Sequence, residues 1–249
     1  AARQMLCVSE FMPGDYGYLL LTGFLQKTEN RKQKTVYFMT TPVKAGVIGV
    51  GYLGKFHADK YAALKDAQLV GVADTSRERA QEVARALNTQ AFQDYRDLLP
   101  LVDAVSVAVP TTGHYAVVKD CLEQGKQVLV EKPLAVTVAE AQELVDLARR
   151  QGCLLMVGHL ERFNSAMEEL KRRVTQPHFI ESHRLSFYKE RGTDVDVVLD
   201  LMIHDLDHVL SLVSSPVAEI RAAGVSVLTD RIDLANVRLE FQPDVGQVD

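Results

Sequence analysis

The sequence has no excess of basic residues: 28 lysines and arginines stand against 33 aspartates and glutamates, a formal net charge of −5 in 249 residues. A protein that binds nucleic acid usually carries a basic face, so this balance argues against a nucleic-acid partner. Cysteine is also scarce, since Cys7, Cys121 and Cys153 lie far apart and form no CxxC pair. We therefore expect neither a zinc site nor a disulfide framework, and this usage favours a reducing cytoplasm.

Long apolar runs are missing as well. The stretch from Tyr18 to Leu25 is interrupted by Thr22 and Gly23 and is too short to span a bilayer. Residues 13–15, Pro-Gly-Asp, fall where a signal peptide would need its apolar stretch. We expect no membrane span and no export signal, and hence a cytoplasmic protein. The 47% of hydrophobic residues is ordinary for a globular chain and argues against general disorder.

Residues 1–42 do not resemble the rest of the chain, because they mix apolar and polar stretches without a sustained period. Met39 is followed closely by a strand pattern. We expect Met39 to lie near the natural start and the preceding residues to be a non-native or poorly ordered leader. The alternative is an N-terminal arm that packs on a partner.

From residue 43 onward, apolar β-branched strands alternate with helices. This alternation predicts a doubly wound parallel sheet with helices on both faces, that is, a Rossmann domain. We assign residues 43–158 to this dinucleotide-binding domain and residues 159–249 to a second, α+β domain. The predicted strands of the first domain are Ala45–Val50, Gln68–Ala73, a short strand near Ala91, Asp103–Val109, Gln127–Val130 and Leu154–Val157. Its predicted helices are Leu53–Leu64, a helix from the Ser76 cap to Leu87, Tyr95–Leu99, His114–Gln124 and a helix from a Thr137–Glu140 capping box to Arg150.

The second domain has a different order of elements. Its pattern predicts a helix over Ala166–Val174, a strand over Phe179–Tyr188 and a helix over Val198–Val213. Two further strands, Glu219–Leu228 and Leu234–Phe241, follow without a helix between them. Consecutive strands of this kind favour a mixed or antiparallel sheet.

The strongest local motif is Gly49-Val50-Gly51-Tyr52-Leu53-Gly54, a GxGxxG sequence. It follows a predicted strand and opens a predicted helix, and Asp74 ends the second strand about 20 residues further on, which is the context of a dinucleotide site. The first glycine permits the tight turn, the second lets the backbone approach the pyrophosphate, and the third allows close helix–strand packing. A diphosphate would then sit at the helix N-terminus. The alternative is a glycine turn without a ligand.

Asp74 bears on the choice of cofactor. Its carboxylate can accept a hydrogen bond from a ribose 2′-OH and would repel a 2′-phosphate, which favours NAD over NADP. Arg77 lies nearby in the sequence and could accommodate the phosphate, so NADP also stays possible.

Glu131-Lys132-Pro133 follows the fifth predicted strand. Because open parallel sheets bind ligands at the carboxyl ends of their strands, Lys132 would lie beside a cofactor. The alternative is a solvated loop lysine.

Asp200, His204 and His208 are spaced four residues apart and share one helix face. A histidine can take and return a proton near neutral pH, and an aspartate one turn away can orient it or stabilise its cation. Two other interpretations are open: metal binding by the HxxxH pair, although no general-base glutamate of the HExxH kind is present, and a helix with surface histidines.

These motifs together resemble those of the glucose–fructose oxidoreductase/inositol dehydrogenase family, often called Gfo/Idh/MocA, and the resemblance runs from about Val43 to Phe241. It implies an oxidoreductase that uses NAD or NADP on a hydroxyl or carbonyl of a sugar, polyol or nucleotide sugar, with no metal. It implies catalytic roles for Lys132, Asp200 and His204. It implies cofactor contacts by Gly49, Gly51, Tyr52, Leu53, Gly54, Asp74, Pro110, Thr111, His114, Glu131 and Lys132.

One family motif is altered in this chain. The family's Thr-Pro-Asn segment stands here as Val109-Pro110-Thr111, so the usual asparagine is replaced. We expect Thr111 or Thr112 to supply the polar contact that the asparagine normally makes.

The segment from Gly158 to Asn164 is similar to that of family members acting on UDP-N-acetylhexosamines, among them UDP-N-acetylglucosamine 3-dehydrogenases. Arg162 and Asn164 could bind a diphosphate or sugar hydroxyls by charge-assisted and amide hydrogen bonds, and His208 is a further candidate for substrate binding. The alternative for Asn164 is a helix cap.

The resemblance favours a dehydrogenase acting on a nucleotide sugar, most specifically a UDP-N-acetylhexosamine. An inositol, polyol or free-sugar dehydrogenase is the alternative within the family, and a non-catalytic NAD-binding fragment or sensor is the alternative outside it. Members generally have a larger second domain, so we expect the second sheet to be incomplete at Asp249. A homo-oligomer is expected only if that domain is complete.

Overall fold

The computed structural model of the chain describes residues 42–186 and 195–243. The leader expected over residues 1–42 lies outside these residues apart from Pro42. The chain divides after Gly158 into two compact units, which are described separately. Within the described ranges, no helix combines the length and apolar character that a bilayer crossing requires.

The first unit contains a six-stranded parallel sheet in the order β3-β2-β1-β4-β5-β6. The doubly wound sheet predicted from strand–helix alternation is therefore confirmed. Its strands are β1 (Val43–Ile48), β2 (Ala67–Ala73), β3 (Gln90–Phe92), β4 (Ala104–Val107), β5 (Gln127–Glu131) and β6 (Leu155–Gly158).

The helices of this unit are α1 (Tyr52–Ala63), α2 (Arg77–Ala86), α3 (Tyr95–Leu98, continued by a 3-10 turn, Leu99–Leu101), α4 (Thr111–Glu123) and α5 (Val138–Gln151). The predicted capping box of α5 is present: Thr137 accepts from the backbone N–H of Glu140, and the Glu140 side chain accepts from the backbone N–H of Thr137. Helix α4 begins at Thr111 instead of the predicted His114. Pro110 occupies its N-cap, where the missing N–H of proline costs no hydrogen bond.

The central strands are apolar because both faces of the sheet are covered. All four residues of β4 are buried, and so are Val128, Leu129 and Val130 of β5. Side chains from α4 and α5, including Val118, Leu122 and Leu144, complete this core. This packing holds the strands in place and so positions the loops that follow their carboxyl ends.

The second unit is less regular. It contains a 3-10 turn (Leu160–Phe163), α6 (Ser165–Arg173), a π-helical turn (Val198–Met202) that continues into α7 (Ile203–Leu212), and the antiparallel pair β7 (Val217–Val225) and β8 (Leu234–Phe241). This confirms the predicted antiparallel pairing.

The strand predicted over Phe179–Tyr188 is wrong for residues 179–186, which form no strand, and residues 187 and 188 lie outside the described part of the chain. A strand needs a neighbouring backbone to bond to, and the side chains of Ser182 and Arg184 bind Asp205 of α7 instead.

Two glycines of the first loop touch each other. Gly49 has a φ of +84°, a left-handed conformation that favours glycine, and a Cβ at Gly54 would overlap the carbonyl oxygen of Gly49. By contrast, a Cβ at Gly51 would meet no atom within 4 Å.

We predict that Gly54→Ala lowers the free energy of unfolding by roughly 1–3 kcal/mol or more, because the added methyl group overpacks the loop. Gly51→Ala, the same change in the same loop, is the matched control and should leave stability nearly unchanged. Urea denaturation followed by circular dichroism measures both. Equal stability of the two variants would contradict the predicted contact.

Candidate active site

The loop between β1 and α1 has the geometry of an anion site. The first turn of α1 contains no acidic residue, and no side chain caps it. Its N-cap residue, Gly51, has no side chain that could cap the first turn, and the helix dipole favours a negative charge there. Since the space around Gly51 is also open, the residues present fit the diphosphate of a dinucleotide.

Asp74 is held against the same loop. Its Oδ2 accepts a hydrogen bond from the backbone N–H of Val50 at 3.0 Å, and its Oδ1 accepts from that of Ser76 at 2.8 Å. Arg79 approaches from α2 and places Nη1 3.3 Å from both carboxylate oxygens. The cation beside Asp74 is thus Arg79, not Arg77, which lies nearer to Asp74 in the sequence.

Lys132 is half-buried directly after β5, and each of its neighbours contacts a buried histidine. The Glu131 carboxylate accepts from His57 Nε2 at 2.9 Å. The carbonyl oxygen of Pro133 lies 2.7 Å from His114 Nδ1, and the other ring nitrogen of His114 lies 2.9 Å from the carbonyl oxygen of Val109. The two histidines therefore hold the Glu131 side chain and the Pro133 backbone on either side of Lys132.

The other residues expected at the cofactor lie on the same edge of the sheet. The side chain of Tyr52 is 62% exposed at the start of α1, next to a partly exposed Leu53. Pro110 is exposed, whereas Thr111 is buried in the first turn of α4. Tyr52 and Leu53 are accessible to a ligand, whereas Thr111 is largely covered by the protein.

In the second unit, Asp200 lies in the π-helical turn and His204 in the first turn of α7, with His208 one turn further on. The Nε2 atom of His208 is buried and has no hydrogen-bond partner within the described residues. Over the same residues, no group of three or more His, Cys, Asp or Glu side chains is arranged to hold a metal ion.

Arg162 forms an ion pair with Asp207 on α7. Its Nε lies 2.7 Å from Oδ2, and Nη2 donates to Oδ1. These hydrogen bonds raise the pKa of the Arg162 guanidinium. Asp207 is buried, so the pair fixes the 3-10 turn against α7 within this unit.

Asn164 acts as a cap, since its Oδ1 accepts from the backbone N–H of Ala166 at 3.0 Å. The helix cap, the alternative expected for Asn164, is therefore present. One side-chain acceptor of Asn164 is therefore already occupied at the start of α6.

Asp205 is the other acidic residue of α7 with a cationic partner. Partial burial would raise the pKa of its carboxyl group, but hydrogen bonds from Arg184 and Ser182 outweigh burial and hold that pKa below its usual range. Asp205 is therefore a stable anion, so it is an anchor for residues 182–184 and unsuited to accept a proton near neutral pH.

Several residues that hold the candidate residues in place within each unit were not predicted from the sequence. One signal was available for two of them: Gly54, His57, Ala58 and Tyr61 are buried with the i, i+3, i+4, i+7 spacing of a helix face. A histidine and a tyrosine on a buried face imply hydrogen-bond partners inside the fold. Asp207 gave no comparable signal, because its partner Arg162 lies 45 residues away.

We predict that Gly51→Val abolishes NAD binding without unfolding the protein, because a branched side chain would fill the open space at the N-terminus of α1. Isothermal titration calorimetry suits the measurement, since the chain has no tryptophan to report binding by fluorescence. Circular dichroism provides the folding control. Wild-type NAD affinity in a folded Gly51→Val protein would show that the diphosphate binds elsewhere.

Comparison with known proteins bears on the same loop and strands. Residues 43–159 match the model of an oxidoreductase family with an NAD-binding Rossmann fold, GFO_IDH_MocA. The UDP-N-acetylglucosamine 3-dehydrogenase of Acidithiobacillus ferrooxidans is 43% identical over 194 residues, which are 78% of this chain and 61% of that protein. The myo-inositol 2-dehydrogenase of Thermotoga maritima is 29% identical, over 80% of this chain and 65% of that protein.

The solved structure of the Acidithiobacillus ferrooxidans enzyme superposes with a TM-score of 0.76 at 41% identity, covering 81% of this chain and 67% of that one. The chain thus spans roughly three fifths to two thirds of the length of these relatives. From the sheet, the glycine loop and these similarities together, the chain belongs to the Gfo/Idh/MocA family of NAD-binding oxidoreductases.

Proposed function

We propose that this protein is a nicotinamide-dependent dehydrogenase that acts on a hydroxyl group of a nucleotide sugar, most specifically a UDP-N-acetylhexosamine. The observation that carries the proposal is the shared edge of the first unit, where an uncapped helix N-terminus, Asp74 and Lys132 all follow parallel strands. The bound dinucleotide would accept a hydride from the carbon atom that carries the hydroxyl group.

The family resemblance supports a distinct role for each of three residues. Lys132 stabilises the negative charge that develops on the substrate oxygen, and His204 accepts the hydroxyl proton. Asp200, on the turn that leads into α7, orients His204 and supports its cation. The hydride and the proton together account for the two hydrogen atoms lost when an alcohol becomes a ketone.

Two similarities and one buried side chain support the substrate class. The relative that is 43% identical is named for a UDP-N-acetylglucosamine substrate, and the Gly158–Asn164 segment is similar to that of such enzymes. The buried Nε2 atom of His208 is a further candidate contact.

The preferred cofactor is NAD, with NADP as a weaker substitute. Val50, Ser76 and Arg79 already use the Asp74 carboxylate, which offers about four acceptor positions. A ribose 2′-OH would take the place of Arg79, whose contacts at 3.3 Å are the longest of these. A 2′-phosphate would instead find the Arg79 cation beside the Asp74 anion, so the repulsion from Asp74 is partly offset.

We predict that Lys132→Ala and His204→Ala each lower kcat by roughly 10²–10⁴-fold, the usual value of general acid–base assistance, with little change in NAD affinity. The assay follows NADH at 340 nm with UDP-N-acetylglucosamine, UDP-N-acetylgalactosamine, N-acetylglucosamine 1-phosphate and myo-inositol. Lys55→Ala and His183→Ala, which alter a lysine and a histidine in surface ion pairs, are the controls and should keep the wild-type rate.

Three results would contradict this proposal in different ways. Turnover of myo-inositol alone would reassign the substrate class. Wild-type rates in both variants would remove Lys132 and His204 from the chemistry. NAD binding without turnover of any compound would instead indicate a cofactor-binding protein without dehydrogenase activity.

We predict that Arg79→Ala reduces the affinity for NADP relative to NAD by roughly threefold or more, the order expected of one partly exposed ion pair. Arg77→Ala is the matched control, two residues away on the same helix and therefore on a different face, and should leave this ratio unchanged. Calorimetric titration with each cofactor measures it.

Asp74→Ser should shift the same ratio toward NADP. Because Asp74 also holds Val50 and Ser76, we expect both affinities to fall, so the ratio is the informative quantity. A wild-type preference for NADP would contradict the assignment of Asp74.

A further inference from the structure

Four buried polar side chains form a continuous chain through the first unit. The hydroxyl oxygen of Tyr61 lies 2.8 Å from Ser106 Oγ, and Ser106 Oγ lies 3.1 Å from His57 Nδ1. His57 Nε2 lies 2.9 Å from Glu131 Oε1. Each residue is at most 5% exposed. The chain connects α1 through β4 to the last residue of β5.

One arrangement of protons lets every group in the chain bond. Burial raises the pKa of Tyr61 well above its usual range, so the phenol keeps its proton and donates to Ser106. The Ser106 hydroxyl then donates to His57 Nδ1, and Nε2–H donates to the Glu131 carboxylate. All donors point toward Glu131, so the hydrogen bonds reinforce one another.

A serine, a histidine and a glutamate in this order also occur in hydrolases that use a nucleophilic serine. That chemistry does not fit here, because Ser106 is fully buried and Tyr61 occupies its oxygen. A nucleophile must reach a substrate carbon atom. The chain of hydrogen bonds therefore serves the fold around it.

This chain of hydrogen bonds ends beside Lys132. Glu131 immediately precedes this lysine, and His57 lies on α1, the helix whose N-terminus fits the diphosphate. The Glu131 carboxylate also lies against Gly158, where a Cβ would be 3.2 Å from Oε2, so it has little room to move. On the other side of Lys132, His114 bonds to the carbonyl oxygen of Pro133.

We propose that His57 and Glu131 are positioning residues, which fix Lys132 relative to the cofactor-binding helix and thereby control turnover but not cofactor affinity. This inference rests on the proposed role of Lys132 in the dehydrogenase reaction. Neither His57 nor Glu131 needs to touch the substrate, because they act through the backbone that carries Lys132.

Two substitutions at His57 separate its two hydrogen bonds. The amide nitrogen of His57→Gln reaches the place of Nε2 and keeps the bond to Glu131. The shorter side chain of His57→Asn reaches only the place of Nδ1, so it keeps Ser106 and loses Glu131. We expect His57→Asn to lower kcat roughly 10- to 100-fold with NAD affinity little changed, since small displacements of a reacting group are costly. His57→Gln should recover most of that loss.

A second readout does not depend on turnover. Lys132 can be acetylated with a water-soluble, amine-reactive reagent and the product quantified by mass spectrometry. The rate of acetylation reports how restricted the lysine side chain is. We expect the Lys132 rate to rise several-fold in His57→Asn and to stay near the wild-type rate in His57→Gln. Lys55, a surface lysine on the same helix, is the internal control in every sample.

Equal behaviour of His57→Asn and His57→Gln in both measurements, in proteins shown to be folded, would overturn the proposal and leave the network a purely structural role. If His57→Asn does not fold, Glu131→Gln tests the same contact, because its amide keeps the shape of the carboxylate but loses the charge. A changed Lys132 labelling rate without turnover in the wild type would leave the positioning intact and refute the proposed function alone.

Discussion

The parallel pairing of the six strands is the constraint on which the first unit depends. Ile48 pairs with Ala73 on one side and with Val107 on the other, and Val107 pairs with Val130. The strands therefore end level with one another, and the glycine loop, Asp74 and Lys132 leave the sheet at one edge. Residues distant in sequence come to lie at one edge of the sheet only because of this register.

Burial determines what the polar side chains at this edge can do. Asp74, Glu131, His57 and His114 are all nearly inaccessible, and a buried polar group is costly unless it is hydrogen-bonded. Each is bonded to the backbone or to another side chain. Their hydrogen bonds maintain the loops that a ligand would contact, whereas the exposed Tyr52 and the half-buried Lys132 remain nearer the surface. Resemblance to a motif does not distinguish these two kinds of residue, but burial does.

The elements with local causes could be predicted from the sequence, and those with distant causes could not. Apolar strands, the Thr137 capping box and the glycine loop follow from residues within a few positions of one another, and all three are found. The pairs His57–Glu131 and Arg162–Asp207 join residues 74 and 45 positions apart, so no local sequence pattern predicts these pairings. The strand predicted at residues 179–186 failed for the same reason, because alternation alone supplies no partner backbone.

The contacts at Asp74 and at Lys132 differ in their exposure to solvent. The Arg79 side chain is 49% exposed, so its attraction to Asp74 is screened by water and salt, and a modest interaction of this kind suits a graded preference between two cofactors. The contacts on either side of Lys132 are buried. Hydrogen bonds are stronger there, and a displaced polar group cannot bond to water instead. The position of Lys132 is therefore held closely by buried contacts, whereas the exposed Arg79–Asp74 ion pair can change at little cost. Under the proposed function, substitutions of Arg79 would alter the relative affinity for NAD and NADP without disturbing Lys132, because the two sets of contacts share no residue.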